Sequence, residues 1–271
     1  MSPYYTTHPA PLTRKAAVLM RRTILLLATI TLTLLVASGV ALAVTKIGTN
    51  GPDTLRGTNG DDNLLGKGAN DVLYALGGRD NLLGAEGKDW VFGGNERRAQ
   101  GGVKNLVGGP GNDGVLGGLG SDTVIGSSGN DFVDGDEGSD RAVVGGEGRD
   151  LINGWTGTDR MLGEGGGDAL VDGNLGEASK NDVLSGGDGD DIFFADHVPA
   201  VKDIVSCGGG FDRVVADRKD VVADDCEKVQ VVHGTKAEVR QQDNAFIESL
   251  PPATSKLFTT FDEQLAPSPN G

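Results

Sequence analysis

Aspartate recurs along this chain at intervals of nine residues. Asp53, Asp62, Asp71, Asp80 and Asp89 form a first run, and Asp113, Asp122, Asp131 and Asp140 a second. Asp150, Asp159 and Asp168 form a third, and Asp182 and Asp191 close the series. Carboxylates in register at this density can do two kinds of chemistry. They can trade protons as acid and base, for which adjacent pairs such as Asp61–Asp62 and Asp190–Asp191 offer themselves. They can also supply oxygen to a hard cation. The first use needs partners of another type, and residues 48–194 contain no histidine. The chain carries neither an H-E-x-x-H helix signature nor a G-x-S-x-G nucleophile elbow. Gly109–Gly114 matches G-x-G-x-x-G in form only, because no buried strand and helix flank it. No catalytic residue and no enzyme is expected.

The elements that must hold these carboxylates follow from what surrounds them. Two residues after each aspartate stands an apolar residue: Leu55, Leu64, Leu73, Leu82, Val91, Val115, Val124, Val133, Ala142, Ile152, Met161, Leu170, Leu184 and Phe193. Two residues before, glycine stands almost throughout, as in Gly108-Gly109-Pro110-Gly111-Asn112-Asp113 and Gly186-Gly187-Asp188-Gly189-Asp190-Asp191. A further unit has Lys104 in the aspartate place and Leu106 in the apolar one. The frame is interrupted only by insertions: six residues before Lys104, one before Asp150 and five before Asp182. Each unit therefore reads as a glycine-permitted tight turn ending in a carboxylate, then a short strand with one residue facing inward. The chain holds 45 glycines in 271 residues, more than twice the usual share of roughly 7%, which on composition alone suggests a disordered linker. The fixed period excludes that. A formal charge of −15 excludes a nucleic-acid binder, which needs a basic face.

The consensus G-G-x-G-x-D-x-U-x, with U a large apolar residue, is a calcium-binding nonapeptide of parallel β-helices. On these motifs the chain resembles the RTX, or haemolysin-type calcium-binding, repeat family, over slightly more than half its length. The resemblance implies an all-β fold, a parallel β-roll (solenoid) in which two nonapeptides make one coil. It also implies multiple calcium ions (Ca2+), each held by aspartates of units n and n+2. One row would use Asp53, Asp71, Asp89, Asp113, Asp131, Asp150, Asp168 and Asp191. The other would use Asp62, Asp80, Asp122, Asp140, Asp159 and Asp182, interrupted at Lys104, whose amine is expected in the ion's place. Ala69 and Lys180 replace turn glycines and weaken the expectation for Asp71 and Asp182. Asp203-Ile204-Val205 and Asp212-Arg213-Val214 keep the D-x-U pattern nine residues apart, the first with Val201 in the place of the turn glycine. Residues 195–232 therefore read as degenerate repeats forming a C-terminal cap.

Residues 1–43 differ in kind: basic, free of acid, with an apolar run from Ile24 to Ala37 and a small-x-small site at Ala41-Leu42-Ala43. They read as an export signal, cleaved so that the mature chain has no membrane span; the alternative is an uncleaved anchor. Met20 before Arg21-Arg22 is a second candidate start. The family's usual export signal is C-terminal, so this leader departs from its pattern. In an oxidising compartment Cys207 and Cys226 are expected to form a disulfide that staples the cap. Residues 44–194 are assigned to the roll and 233–271 to a flexible tail with at most a short helix near Ala237–Leu250. Leu65, Leu83, Val107, Ile125, Val143 and Leu162 fall on the outside of one sheet as an aliphatic stripe, a possible surface for self-association or a partner. The functional expectation is a secreted or cell-surface calcium-binding protein with a structural, adhesive or surface-associated role. The alternative is a carbohydrate-active or other enzyme on a β-helical scaffold.

Overall fold

A computed structural model describes residues 42–94, 102–173 and 180–250. The expected leader through residue 41 and the chain beyond residue 250 lie outside the described residues, as do most of the insertion before Lys104 and that before Asp182. Among the described residues twenty short strands wind into a parallel solenoid whose odd and even members form two separate sheets of ten. The odd sheet runs β1 (Thr45–Ile47), β3 (Asn63–Gly68), β5 (Asn81–Glu86), β7 (Asn105–Pro110), β9 (Thr123–Ser128), β11 (Ala142–Glu147), β13 (Arg160–Gly165), β15 (Val183–Asp188), β17 (Ile204–Gly209) and β19 (Val221–Val222). The even sheet runs β2 (Thr54–Arg56), β4 (Val72–Tyr74), β6 (Trp90–Phe92), β8 (Gly114–Leu116), β10 (Phe132–Asp134), β12 (Leu151–Asn153), β14 (Ala169–Val171), β16 (Ile192–Ala195), β18 (Arg213–Ala216) and β20 (Lys228–Val231). Each strand pairs with the strand two units away, as in Leu64↔Leu82 and Leu73↔Val91. This is the two-unit coil expected from the repeat.

The core is a ladder of the residues that follow each aspartate by two. Leu64, Leu73, Leu82, Val91, Leu106, Val115, Val124, Val133, Ile152, Met161, Leu170, Leu184 and Phe193 are all buried between the sheets. Leu55, in the first coil, is only partly buried against this core, and Ala142 is out of register with it. The extra residue assigned in the sequence frame to the stretch before Asp150 is instead taken up at Arg141–Ala142, directly after Asp140. Val143, not Ala142, therefore lies opposite Val124 and fills the core. Placing the bulge there buries the larger apolar side chain, worth roughly 25 cal/mol for each additional Å² removed from water. The correction carries to the outer stripe, where Val144 takes the place assigned to Val143. Ile47, Leu65, Leu83, Val107, Ile125, Val144 and Leu162 are consecutive register partners on the odd sheet, and Ser185 and Ser206 continue the line.

The roll extends past Phe194. β17 to β20 add two coils with degenerate turns, and Cys207 and Cys226 are disulfide-bonded across them. At the other end Lys46 occupies the core register beside Leu64, and its ammonium bonds the Arg56 carbonyl at 2.6 Å. A charge at that edge discourages pairing with another chain. Among the described residues one helix, α1 (Lys236–Glu248), follows the last coil. Its first turn is held by Glu238, whose Oε2 accepts the Thr235 N–H at 2.8 Å. Val239 and Phe246 pack with Leu250 against Ile192, Phe194 and Val215 on the outer face of the even sheet.

Candidate functional site

Every aspartate of the frame closes a turn, and the turns of successive coils stack with their backbones in contact. Gly148 shows why the second residue before the aspartate is glycine. Its φ is +141°, and a Cβ added there would fall 1.5 Å from the Gly129 carbonyl oxygen of the preceding coil. Ala69, at the equivalent place before Asp71, adopts φ 70° instead, and Asp71 keeps its position in the stack.

The stacking sets up two carboxylate ladders. In the first, the Asp53 N–H donates to Asp71 Oδ1 at 2.7 Å and the Asp71 N–H to Asp89 Oδ1 at 2.7 Å. The same bond, at 2.8 Å, links Asp89 to Asp113, Asp113 to Asp131, Asp131 to Asp150, Asp150 to Asp168 and Asp168 to Asp191. Asp191 bonds Asp212, and the Asp212 N–H ends the ladder on Glu227 Oε2. In the second, Asp62 bonds Asp80, Lys104 bonds Asp122, and Asp122, Asp140, Asp159, Asp182, Asp203 and Asp220 continue in turn. The two expected rows are therefore the two edges of the roll. The extensions to Asp203, Asp212, Asp220 and Glu227 lie beyond the repeats that the consensus identifies. In sequence they are signalled by D-x-U remnants at Asp203 and Asp212 and, one residue short of the nine-residue spacing, at Asp220-Val221-Val222.

In at least nine of these carboxylates one oxygen is used by the ladder and the other accepts no hydrogen bond. Oδ2 of Asp71, Asp89, Asp113, Asp131, Asp140, Asp150, Asp159, Asp168 and Asp191 is buried and accepts no hydrogen bond. Each of these oxygens faces the first residue of its own turn; an added Cβ at Gly126 would lie 2.4 Å from Asp131 Oδ2 and 2.6 Å from the Gly145 carbonyl oxygen. Carboxylate and carbonyl oxygens thus converge between coils. Such an oxygen-only donor set, buried and lacking protons to share, fits calcium and is costly without a cation. Burial pushes the carboxyl of Asp113 up to about 7 and those of Asp140 and Asp168 up to about 8, against the lowering effect of the ladder N–H groups. Neighbouring aspartates raise them further. Asp53, at the open end of the first row, is held below the usual range by hydrogen bonds from the Thr49 backbone and side chain.

Two basic side chains enter the second row. Lys104 is 1% exposed; its Nζ donates to the Leu119 carbonyl at 3.0 Å and lies 4.0 Å from Asp122 Oδ2. Farther along, His197 is buried with Nδ1 3.3 Å from Asp203 Oδ2 and Nε2 3.9 Å from Asp172 Oδ1. Burial lowers the imidazole's pKa, but the Asp203 carboxylate, with Asp196 and Asp182, raises it by more, so the net shift is upward. The repeat frame gives no sign of this cluster. Asp172 stands where most turns of this row have glycine, and His197 lies in the irregular loop between β16 and β17.

Compared with known families, the chain matches the RTX calcium-binding nonapeptide repeat (4 copies) over residues 47–82, 65–97, 107–142, 143–170 and 179–196. It belongs to the RTX repeat family, whose nonapeptides bind calcium. The matched stretches pass over Lys104 and stop one residue short of His197. No curated protein matches the chain. Among the described residues no helix is long and apolar enough to cross a membrane.

Proposed function

We propose that this chain is an exported calcium-binding protein whose roll folds on binding several calcium ions along both edges. Asp53, Asp71, Asp89, Asp113, Asp131, Asp150, Asp168 and Asp191 serve one row. Asp62, Asp80, Asp122, Asp140, Asp159 and Asp182 serve the other. The observation that carries this reading is the line of buried Oδ2 atoms without a hydrogen bond, exemplified by Asp131 beside the Gly145 carbonyl. Without cations these rows are stacked, desolvated carboxylates that repel one another, so the free energy of binding becomes free energy of folding. Export is supported by the acid-free leader and by a disulfide, which persists in oxidising compartments.

The role of the loaded roll is structural, adhesive or surface-associated rather than catalytic. The outer line from Ile47 to Leu162 offers an aliphatic surface for a second copy or a surface partner, and gel filtration with calcium tests it; a strict monomer speaks against self-association. The principal test is circular dichroism of the calcium-free chain, followed by addition of calcium. The β signal is expected to be weak without calcium and to appear over the millimolar range or below. An unchanged β signal after calcium removal overturns the reading. A turnover screen on polysaccharides with calcium present tests the enzyme alternative directly.

A further inference from the structure

We propose that His197, Asp203 and Asp172 form a separate site for a nitrogen-preferring divalent cation of the zinc class, at the C-terminal end of the second row. The three side chains are buried, and one ligand atom from each lies within 4.8 Å of the others. Nδ1 and Nε2 of His197 make no hydrogen bond, and neither does Asp203 Oδ2, although Nδ1 and this oxygen are only 3.3 Å apart. A polar ring enclosed this completely ordinarily bonds through at least one nitrogen. Two ligands at the zinc distances of 2.0–2.2 Å, spread at a tetrahedral angle, stand about 3.3 Å from each other. The spacing between Nδ1 and Asp203 Oδ2 is thus that of two ligands of one ion.

The chemistry differs from that of the calcium rows. Calcium takes oxygen and leaves imidazole aside, whereas zinc and its neighbours accept an imidazole with carboxylates. Two carboxylates and a neutral imidazole also balance the charge of a divalent ion. A route from solvent exists: a cavity of about 260 Å³, lined by His197, Val198, Pro199, Asp217, His233 and Val239, opens beside the cluster. It leaves room for a water as a further ligand. Asp172 completes the set from the coil before, with a carboxylate oxygen within 4.8 Å of the ligand atoms of His197 and Asp203.

The test titrates the full-length, calcium-saturated chain with Co2+, a spectroscopic stand-in for zinc, and then displaces the cobalt with Zn2+. The proposal expects one Co2+ per chain, with visible d–d bands of a nitrogen-ligated ion. His197→Ala and the closer replacement His197→Asn are expected to weaken binding by on the order of 100-fold, since losing a ligand costs at least as much as losing the outer-shell groups that account for 10–100-fold. His233→Ala, at the cavity wall, is expected to leave it unchanged. The β signal with calcium is recorded for each variant, so loss of the fold is distinguished from loss of the site. Absence of stoichiometric cobalt in the folded wild type, or equal affinity in a folded His197→Asn variant, overturns the proposal. Either result leaves the calcium reading standing.

Discussion

The ammonium of Lys104 lies 4.0 Å from Asp122 Oδ2 inside the second carboxylate row and donates to the Leu119 carbonyl one coil on. Its stem runs against the first turn glycine, Gly93, as the aspartate carboxylates run against theirs. A covalently attached cation thus lies inside the row, between the segment of carboxylates before it and the segment after it.

Lys104→Asp is therefore expected to join the two segments and add about one to two calcium ions per chain, read by calorimetry, with a higher melting temperature in calcium. Lys104→Met is expected to destabilise the loaded roll by roughly 3 kcal/mol, because it leaves Asp122 as a buried charge without its partner. Unchanged stoichiometry in Lys104→Asp would show that the amine does not stand in for an ion.

Two glycine substitutions separate crowded turns from open ones. Gly148→Ala forces a methyl group to within 1.5 Å of the Gly129 oxygen at φ +141°, and is expected to cost about 3 kcal/mol or more through strain and overpacking together. Gly68→Ala meets nothing nearer than 3.9 Å and is expected to be neutral or to stabilise by about 0.4–1 kcal/mol through the unfolded state. Chemical denaturation with calcium present measures both. Similar effects at the two positions would argue against backbone contact as the reason for glycine.

Much of this architecture is legible in the sequence because a solenoid repeats its contacts at constant spacing: the aspartate frame sets the period, and the resemblance to the RTX repeats supplies the two-unit coil that pairs Leu64 with Leu82. The frame fails where the spacing does. A single inserted residue can sit anywhere between two anchors, and only the preference for burying Val143 over Ala142 decides its place. His197 and Asp172 come together across an irregular loop, and no periodicity describes that contact. The docking of α1 did leave a signal. Ile192-Phe193-Phe194-Ala195 is apolar without alternation, the pattern of a strand covered on both faces, and Ile192 and Phe194 are the residues under the helix.

The Cys207–Cys226 bond joins the last two coils, with Cys207 in the position that Gly186 holds one coil earlier. Closing a loop of this size is worth about 3 kcal/mol. A double replacement by serine is expected to lose roughly that amount, and to lose it locally, because each coil touches only its neighbours. Hydrogen exchange is expected to quicken in β17 to β20 and to stay slow in β3 to β12. Uniform acceleration along the roll would mean that the bond acts on global folding instead.

The carboxyl shifts give the calcium-free chain an unusual pH dependence. In the folded state burial holds Asp113 near 7 and Asp140 and Asp168 near 8, whereas an unfolded chain has aspartates near 3.9. Between about pH 4 and pH 8 the folded state therefore binds more protons than the unfolded one. Stability without calcium must fall as pH rises through that window, by about 1.4 kcal/mol per pH unit for each proton of difference. On the proposed reading, protons fill the rows at low pH and calcium fills them at high pH. The calcium-free chain is expected to show more β structure at about pH 5 than at pH 8, while calcium affinity increases over the same range as the carboxylates ionise. Circular dichroism of calcium-stripped protein across this range checks the first expectation, and calorimetric titration at several pH values checks the second. β content that rises toward pH 8 without calcium would show that the carboxylates are ionised in the folded rows without a metal to balance them.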